Sequence, residues 1–223
     1  AIRIYEIGGP EVLKWEDVDV GKPGEGEVRV KHTAVGLNYI EVYQRTGLYK
    51  ITDFPATIGS EAGGVIEEVG DGVTDFKAGD RVMYAMNIGA YSEERLMTTD
   101  KLVKVPDGID DNTAGGMMLQ GMTAYYLLHK TYAVQPGDTI LLFAAAGGVG
   151  LIMSQWAKHL GVTMIGCVGS EEKAELVKAN GCDHVIMYRD DPVSARVKDR
   201  TDDKGVPVVD DSIGKAPFLD SLD

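Results

Sequence analysis

Cysteine is almost missing from this chain: 223 residues hold two, Cys167 and Cys182, with no C-x-x-C spacing. Neither a disulfide framework nor a cysteine-rich zinc site can be assembled from them, and a reducing compartment suits such a sequence. Long apolar runs are lacking too. The longest, Ile140 to Met153, is shorter than the roughly 20 residues that span a bilayer, and Gly147, Gly148 and Gly150 interrupt it. The opening AIRIYEIGGPEVLKW alternates apolar and polar residues and has none of the sections of a signal peptide, so a cytoplasmic location is expected. Positive charge is scarce: 22 Lys and Arg stand against 35 Asp and Glu, a net charge of −13, with no basic run. Such a chain repels phosphate backbones and anionic membranes, and neither nucleic acid nor membrane is expected as a partner. The four histidines, His32, His129, His159 and His184, lie far apart without ligand spacing, and structural or surface roles are expected of them.

What is present is an ordinary globular composition, 44% hydrophobic and 26% charged, long enough for one large domain or two smaller ones. Up to about Val105, short segments alternate with period two and are separated by turn clusters such as Gly21-Lys22-Pro23-Gly24-Glu25-Gly26. Antiparallel β structure, a sandwich or partly open barrel, is the expectation. Strands are expected at Gly64–Val69, Arg81–Ala85, Tyr91–Thr98 and Leu102–Val105, with a short helix over Tyr39–Arg45. Beyond Pro106 the rhythm lengthens. Helical spacing over Asp111–Met118 and Gly121–Lys130 gives way to alternating strands and helices. The strands fall at Thr139–Ala144, Thr163–Val168, His184–Tyr188 and Val206–Asp211; the helices at Val149–Leu160, Glu171–Asn180 and Pro192–Asp199. That alternation implies βαβ units and a parallel sheet.

The strongest local signal is Phe143-Ala144-Ala145-Ala146-Gly147-Gly148-Val149-Gly150, set between an expected strand and an expected helix. In a dinucleotide fold such glycines let the backbone turn tightly and approach a pyrophosphate, whose charge rests on the helix N-terminus. The first glycine of G-x-G-x-x-G is here Ala144. An NAD site would place an Asp or Glu at the end of the second strand to bind the ribose, but Gly169-Ser170 stands there. Lys173 follows in the next helix, and Tyr188 closes the third strand. A 2′-phosphate would meet a cation and a phenol; alternatively, Lys173 is merely solvated and Tyr188 merely packs. Glu171 and Glu172 suit a helix N-terminus but oppose a phosphate unless they point away.

Five ordered segments carry a family resemblance: Gly36-Leu37-Asn38-Tyr39-Ile40, Ile58-Gly59-Ser60-Glu61-Ala62-Gly63-Gly64, Ala78-Gly79-Asp80-Arg81-Val82, Gly121-Met122-Thr123-Ala124-Tyr125-Tyr126 and the glycine turn. The chain resembles the medium-chain dehydrogenase/reductase superfamily, in detail its zinc-free quinone oxidoreductase branch, relatives of ζ-crystallin. The resemblance implies an N-terminal GroES-like β domain, residues 1–115, and a Rossmann domain, residues 116–223, with a cleft between them and NADPH as hydride donor. It also implies that Ala146, Gly147, Gly148, Val149, Gly169 and Ser170 take part in holding the cofactor, together with Lys173, Tyr188 and Ser212. Thr123 either touches the nicotinamide end or packs its helix. The zinc ligands of the superfamily's alcohol dehydrogenases fall here on Asn38, Ser60 and Gln120, which supply neither thiolate nor imidazole.

Without a metal to polarise a carbonyl, quinones and conjugated enones are the acceptors of choice, because they already offer an electron-poor carbon. Asn38, Tyr43 and Tyr49 are the implied catalytic donors; the alternative for Tyr43 and Tyr49 is a role as packing aromatics, and Glu41 is expected at the surface or in a structural role. The expected activity is NADPH-dependent, metal-free quinone reduction. Its alternatives are an enone or enoyl reductase on the same scaffold and a non-catalytic NADPH-binding protein. By resemblance the assembly is a homodimer formed through the Rossmann sheet edge. Four strands of a six-stranded Rossmann order are counted, so a fragment lacking roughly a hundred residues is expected.

Overall fold

The computed structural model describes residues 1–189, 192–215 and 217–222; positions 190, 191, 216 and 223, the last closing the expected second domain, lie outside the described residues. The chain forms two compact units, Ala1–Leu119 and Gln120–Asp223.

In the first unit, β1 (Ile2–Ile4), β2 (Lys14–Trp15) and β4 (Ala56–Thr57) make a small sheet of order β2-β1-β4. Between β2 and β4 come β3 (Glu27–Val35) and helix α1 (Tyr39–Thr46). The main sheet adds β5 (Glu61–Val69), β6 (Arg81–Ala85), β7 (Glu94–Thr98) and β8 (Val103–Lys104), all antiparallel, in the order β7-β3-β5-β6-β8. Alternation does the work here: Val28 and Val30 of β3 are buried with Ile66, Val82, Tyr84 and Met97 in one core, while Arg29 and Lys31 between them face Glu67 in ion pairs. Helix α2 (Asp111–Gly116) is N-capped by Asp110, which accepts from the Thr113 N–H at 2.9 Å. Helix α3 (Met118–Tyr126) follows, and a π-helical turn, Leu127–Thr131, extends it.

The second unit is a parallel sheet of β9 (Thr139–Leu142), β10 (Thr163–Val168), β11 (His184–Met187) and β12 (Val209–Asp210), in the order β11-β10-β9-β12. Numbered from β9, that is 3-2-1-4, the first four places of the doubly wound order. Helices α4 (Gly148–His159), α5 (Glu171–Ala179) and α6 (Val193–Arg200) alternate with the strands. Side chains leave the strands alternately to two cores: Ile140, Leu142 and Met164 to one, with Met153 of α4, and Leu141, Phe143 and Ile165 to the other, with Val193 and Val197 of α6. Burial on both faces explains why these strands read as unbroken apolar runs. Among the described residues, no helix is long and apolar enough to cross a membrane.

Several expected boundaries move. Strand β5 starts at Glu61 rather than Gly64, because the buried Ala62-Gly63-Gly64 carry no alternation to read. Strand β7 starts at Glu94 rather than Tyr91, whose N–H is taken by the Ile58 carbonyl. The segment expected to begin a helix at Gly121 is already helical from Met118 and turns to π winding at Leu127; a glycine reads as a boundary, yet here the helix runs through it. Strand β9 stops at Leu142, two residues short, and β12 is only Val209–Asp210, held by its register on Leu141 and Leu142.

Candidate active site

Asn38 is the N-cap of α1, and its backbone N–H donates to Glu41 Oε2 at 2.6 Å. Asn38 and Glu41 form a capping box, although the Asn38 side chain closes no short hydrogen bond to the helix. Its carboxamide Nδ2 instead donates to Glu61 Oε1 at 2.7 Å. Glu61, at the start of β5, is fully buried and accepts the Leu119 N–H on Oε2 at 2.9 Å. Glu41 is buried as well, which makes it a structural carboxylate and corrects the surface alternative. Burial pushes its pKa up, against the opposing pull of Ser60 beside it and of the Asn38 backbone amide.

Of the other implied donors, Tyr43 lies on α1, and Tyr49 follows the left-handed cap Gly47 (φ 84°), which turns the chain back. The Tyr49 N–H reaches the Tyr43 carbonyl at 3.0 Å and the two rings meet at 5.3 Å, with Tyr39 5.6 Å beyond Tyr43. The structure thus brings Tyr43 and Tyr49 together; among the described residues no hydrogen bond joins either phenol to Asn38, whose carboxamide is on Glu61. Tyr49 is half exposed and Tyr39 more so, as suits rings that line a surface rather than fill a core.

The positions where zinc ligands would fall do not suit zinc. Asn38 is engaged by Glu61, Ser60 offers only a buried hydroxyl, and a Cβ on Gly148 would lie 2.2 Å from the Gln120 carboxamide oxygen, so that side chain packs on the glycine turn. None supplies a thiolate or an imidazole. Among the described residues, no three His, Cys, Asp or Glu side chains converge as a metal site would require. The histidines are occupied in other ways: His32 bonds the Ser92 carbonyl and the Tyr84 hydroxyl, His129 stacks near Tyr125 and Trp156, and His184 meets Arg200. His159 ends α4.

In the second unit, the turn after β9 carries Ala144 at φ 52°, with the Gly147 N–H on the Ala144 carbonyl at 2.8 Å. Gly147 is the N-cap of α4, and Gly147 and Gly148 are exposed there between half-buried Ala146 and Val149. Gly150 has no room for a side chain, since its Cβ would stand 2.3 Å from the Ala145 carbonyl oxygen. Backbone amides at an open helix N-terminus are what an anionic diphosphate requires.

At the end of β10, Ser170 N-caps α5 and accepts the Lys173 N–H at 3.4 Å. A Cβ on Gly169 would lie 2.9 Å from the Tyr188 hydroxyl and 3.3 Å from Arg189 Nε. The phenol and a guanidinium therefore close over that glycine, with Lys173 exposed in the first helical turn. Glu171 and Glu172 are exposed in the same turn, where the helix dipole favours them. In the sequence Arg189 is signalled only as a cation directly after Tyr188. Glu61 is signalled only as part of Ile58-Gly59-Ser60-Glu61-Ala62-Gly63-Gly64, a pattern that carries no sign of its bond to Asn38. Thr123 lies on α3, and Ser212 is exposed just past β12.

Comparison with known proteins agrees with this architecture. Residues 24–137 match the alcohol dehydrogenase GroES-like domain and residues 148–223 the zinc-binding dehydrogenase family. Over its full length the chain is 50% identical to a quinone oxidoreductase of Pseudomonas aeruginosa and 49% identical to a 2-haloacrylate reductase of a Burkholderia species, spanning 69% of each. Of solved structures, Escherichia coli quinone oxidoreductase complexed with NADPH superposes with a TM-score of 0.96 at 43% identity, over 99% of this chain and 68% of that one. The chain belongs to the quinone oxidoreductase branch of the medium-chain dehydrogenase/reductase superfamily.

Proposed function

We propose that this chain is an NADPH-dependent quinone oxidoreductase that works without a metal ion. The carrying observation is the end of β10: Gly169 under Tyr188 and Arg189, Lys173 one helical turn on, and no carboxylate where an NAD site needs one. Two cations and a phenol suit a 2′-phosphate. The exposed Gly147 and Gly148 at the open N-terminus of α4 fit the diphosphate of the same cofactor.

NADPH, when bound, supplies the hydride. The chain's own residues then have to orient the acceptor and stabilise the oxygen that gains charge. Tyr43 and Tyr49 are assigned to donate hydrogen bonds to that oxygen, and Asn38 contributes an amide N–H; Thr123 and Ser212 are assigned to the cofactor. A second acceptor class is favoured by one finding, the 49% identity to a 2-haloacrylate reductase. A halogenated acrylate is, like a quinone, an electron-poor conjugated acceptor. A homodimer paired along the edge of the parallel sheet belongs to the same reading, and sedimentation tests it.

The decisive experiment follows NADPH and NADH oxidation with a benzoquinone and a 2-haloacrylate offered side by side, with and without a chelator. NADPH-selective, chelator-insensitive quinone turnover is expected. Lys173→Ala and Arg189→Ala should each raise the KM for NADPH by roughly tenfold and leave that for NADH unchanged. Turnover of the haloacrylate alone would move the substrate class and keep the cofactor site. A rate lost to the chelator would overturn the metal-free assignment.

A further inference from the structure

The carboxamide of Asn38 can make three kinds of contact: two N–H donors and one carbonyl acceptor. Its carbonyl side is turned to the α1 N-terminus in the capping box, and one Nδ2–H is spent on Glu61. Because a carboxylate only accepts, that bond also fixes which way round the amide sits. Among the described residues, one uncommitted donor remains, the second Nδ2–H.

Glu61 is bound on three sides. Its Oε1 takes the Asn38 amide and its Oε2 takes the Leu119 N–H at the start of α3. Gly36 makes room for it, since a Cβ there would fall 2.3 Å from Oε1 and 2.4 Å from Cγ. Each carboxylate oxygen therefore meets a different N–H. A glutamine of the same shape has one acceptor and one NH2, so one of the two donors would face another donor.

We propose that Glu61 is a positioning residue for the reaction: it holds the Asn38 carboxamide so that a single N–H stays available to the oxygen that gains charge. This rests on the quinone reductase reading, in which Asn38 acts on the acceptor. Glu61 itself touches neither substrate nor cofactor in this scheme. Its removal should therefore change turnover through Asn38 and leave cofactor affinity alone.

The test is a double-mutant cycle in the full chain with NADPH and a benzoquinone, using E61Q, N38A and the pair. E61Q is expected to lower kcat about tenfold to a hundredfold, with NADPH affinity, read by nicotinamide fluorescence, within about twofold of the parent. In the N38A background the same change should cost less than about twofold. E61D keeps two acceptors and should recover part of the loss; it also replaces E61Q in the cycle if that variant does not fold. Losses that multiply independently, or wild-type kcat in E61Q, would overturn the proposal. If the parent protein reduces no quinone, the functional reading fails by itself. The Asn38 side-chain amide signal in a nitrogen-15 spectrum then still tests the contact: it should shift in E61Q, and an unmoved signal counts against it.

Discussion

Ala144 sits at φ 52° in the exposed turn between β9 and α4. An L-residue pays about 1–2 kcal/mol for the left-handed conformation, which glycine adopts freely at an entropic cost of roughly 0.5–1 kcal/mol. Ala144→Gly should therefore stabilise the second unit by about 0.5–1 kcal/mol and raise its melting temperature by about 1–3 °C. A melting temperature that stays level or falls would show that the alanine is unstrained. The sequence pattern exposed the departure from G-x-G-x-x-G but not its cost, since a dihedral angle is set by how strand and helix meet.

At the scale of elements, β3 and β6 are tied by a part-buried polar chain that runs through the core residue Tyr84. Arg95 donates to the Tyr84 hydroxyl at 3.3 Å, that hydroxyl bonds His32 Nε2 at 2.9 Å, and His32 Nδ1 reaches the Ser92 carbonyl at 2.6 Å. A carbonyl only accepts, so Nδ1 carries the proton and Nε2 accepts from Tyr84. Burial lowers the His32 pKa from the ordinary 6.5, with Arg95 acting in the same sense and Ser92 opposing. The unfolded chain then binds the proton more readily, so stability is lost as pH falls below about 6.5 and stops falling below the folded pKa, with a slope of at most about 1.4 kcal/mol per pH unit. Glu41 acts oppositely. Its pKa is raised above 4.5, so its contribution is complete below that value and is lost as pH rises through the folded pKa. Thermal melts of the parent and His32→Gln at pH 7 and pH 5.5 separate the two. The parent should lose stability on acidification and the variant much less, and equal losses would exclude His32 as the cause. Elements of this kind were legible where a short apolar run carries no internal break, as at Arg81–Ala85 and near Thr163–Val168, which the structure places unchanged. They were not legible where paired glycines stand inside the strand, as with Gly63 and Gly64 at the start of β5.

For the whole molecule, a net charge of −13 and a sequence pI near 4.7 set how it meets other macromolecules. Solubility should pass through a minimum close to pH 4.7, and at pH 7 and physiological salt the protein should pass a heparin column unretained. Retention there would reveal a basic patch strong enough to outweigh the net charge.

The residues alone determined the class of fold, because period-two segments followed by alternating strand and helix signals admit few arrangements of layers. They also determined the missing zinc ligands and the missing carboxylate after the second strand, since chemistry absent from a chain cannot be restored by folding it. Tertiary structure decided the rest. It joined Asn38 to Glu61 across 23 positions, buried Glu41, and set Arg189 beside Gly169 across the β10–β11 pair. Those pairings depend on strand register and on where a helix starts, and a sequence pattern carries such long-range contacts only once the sheet has brought them together.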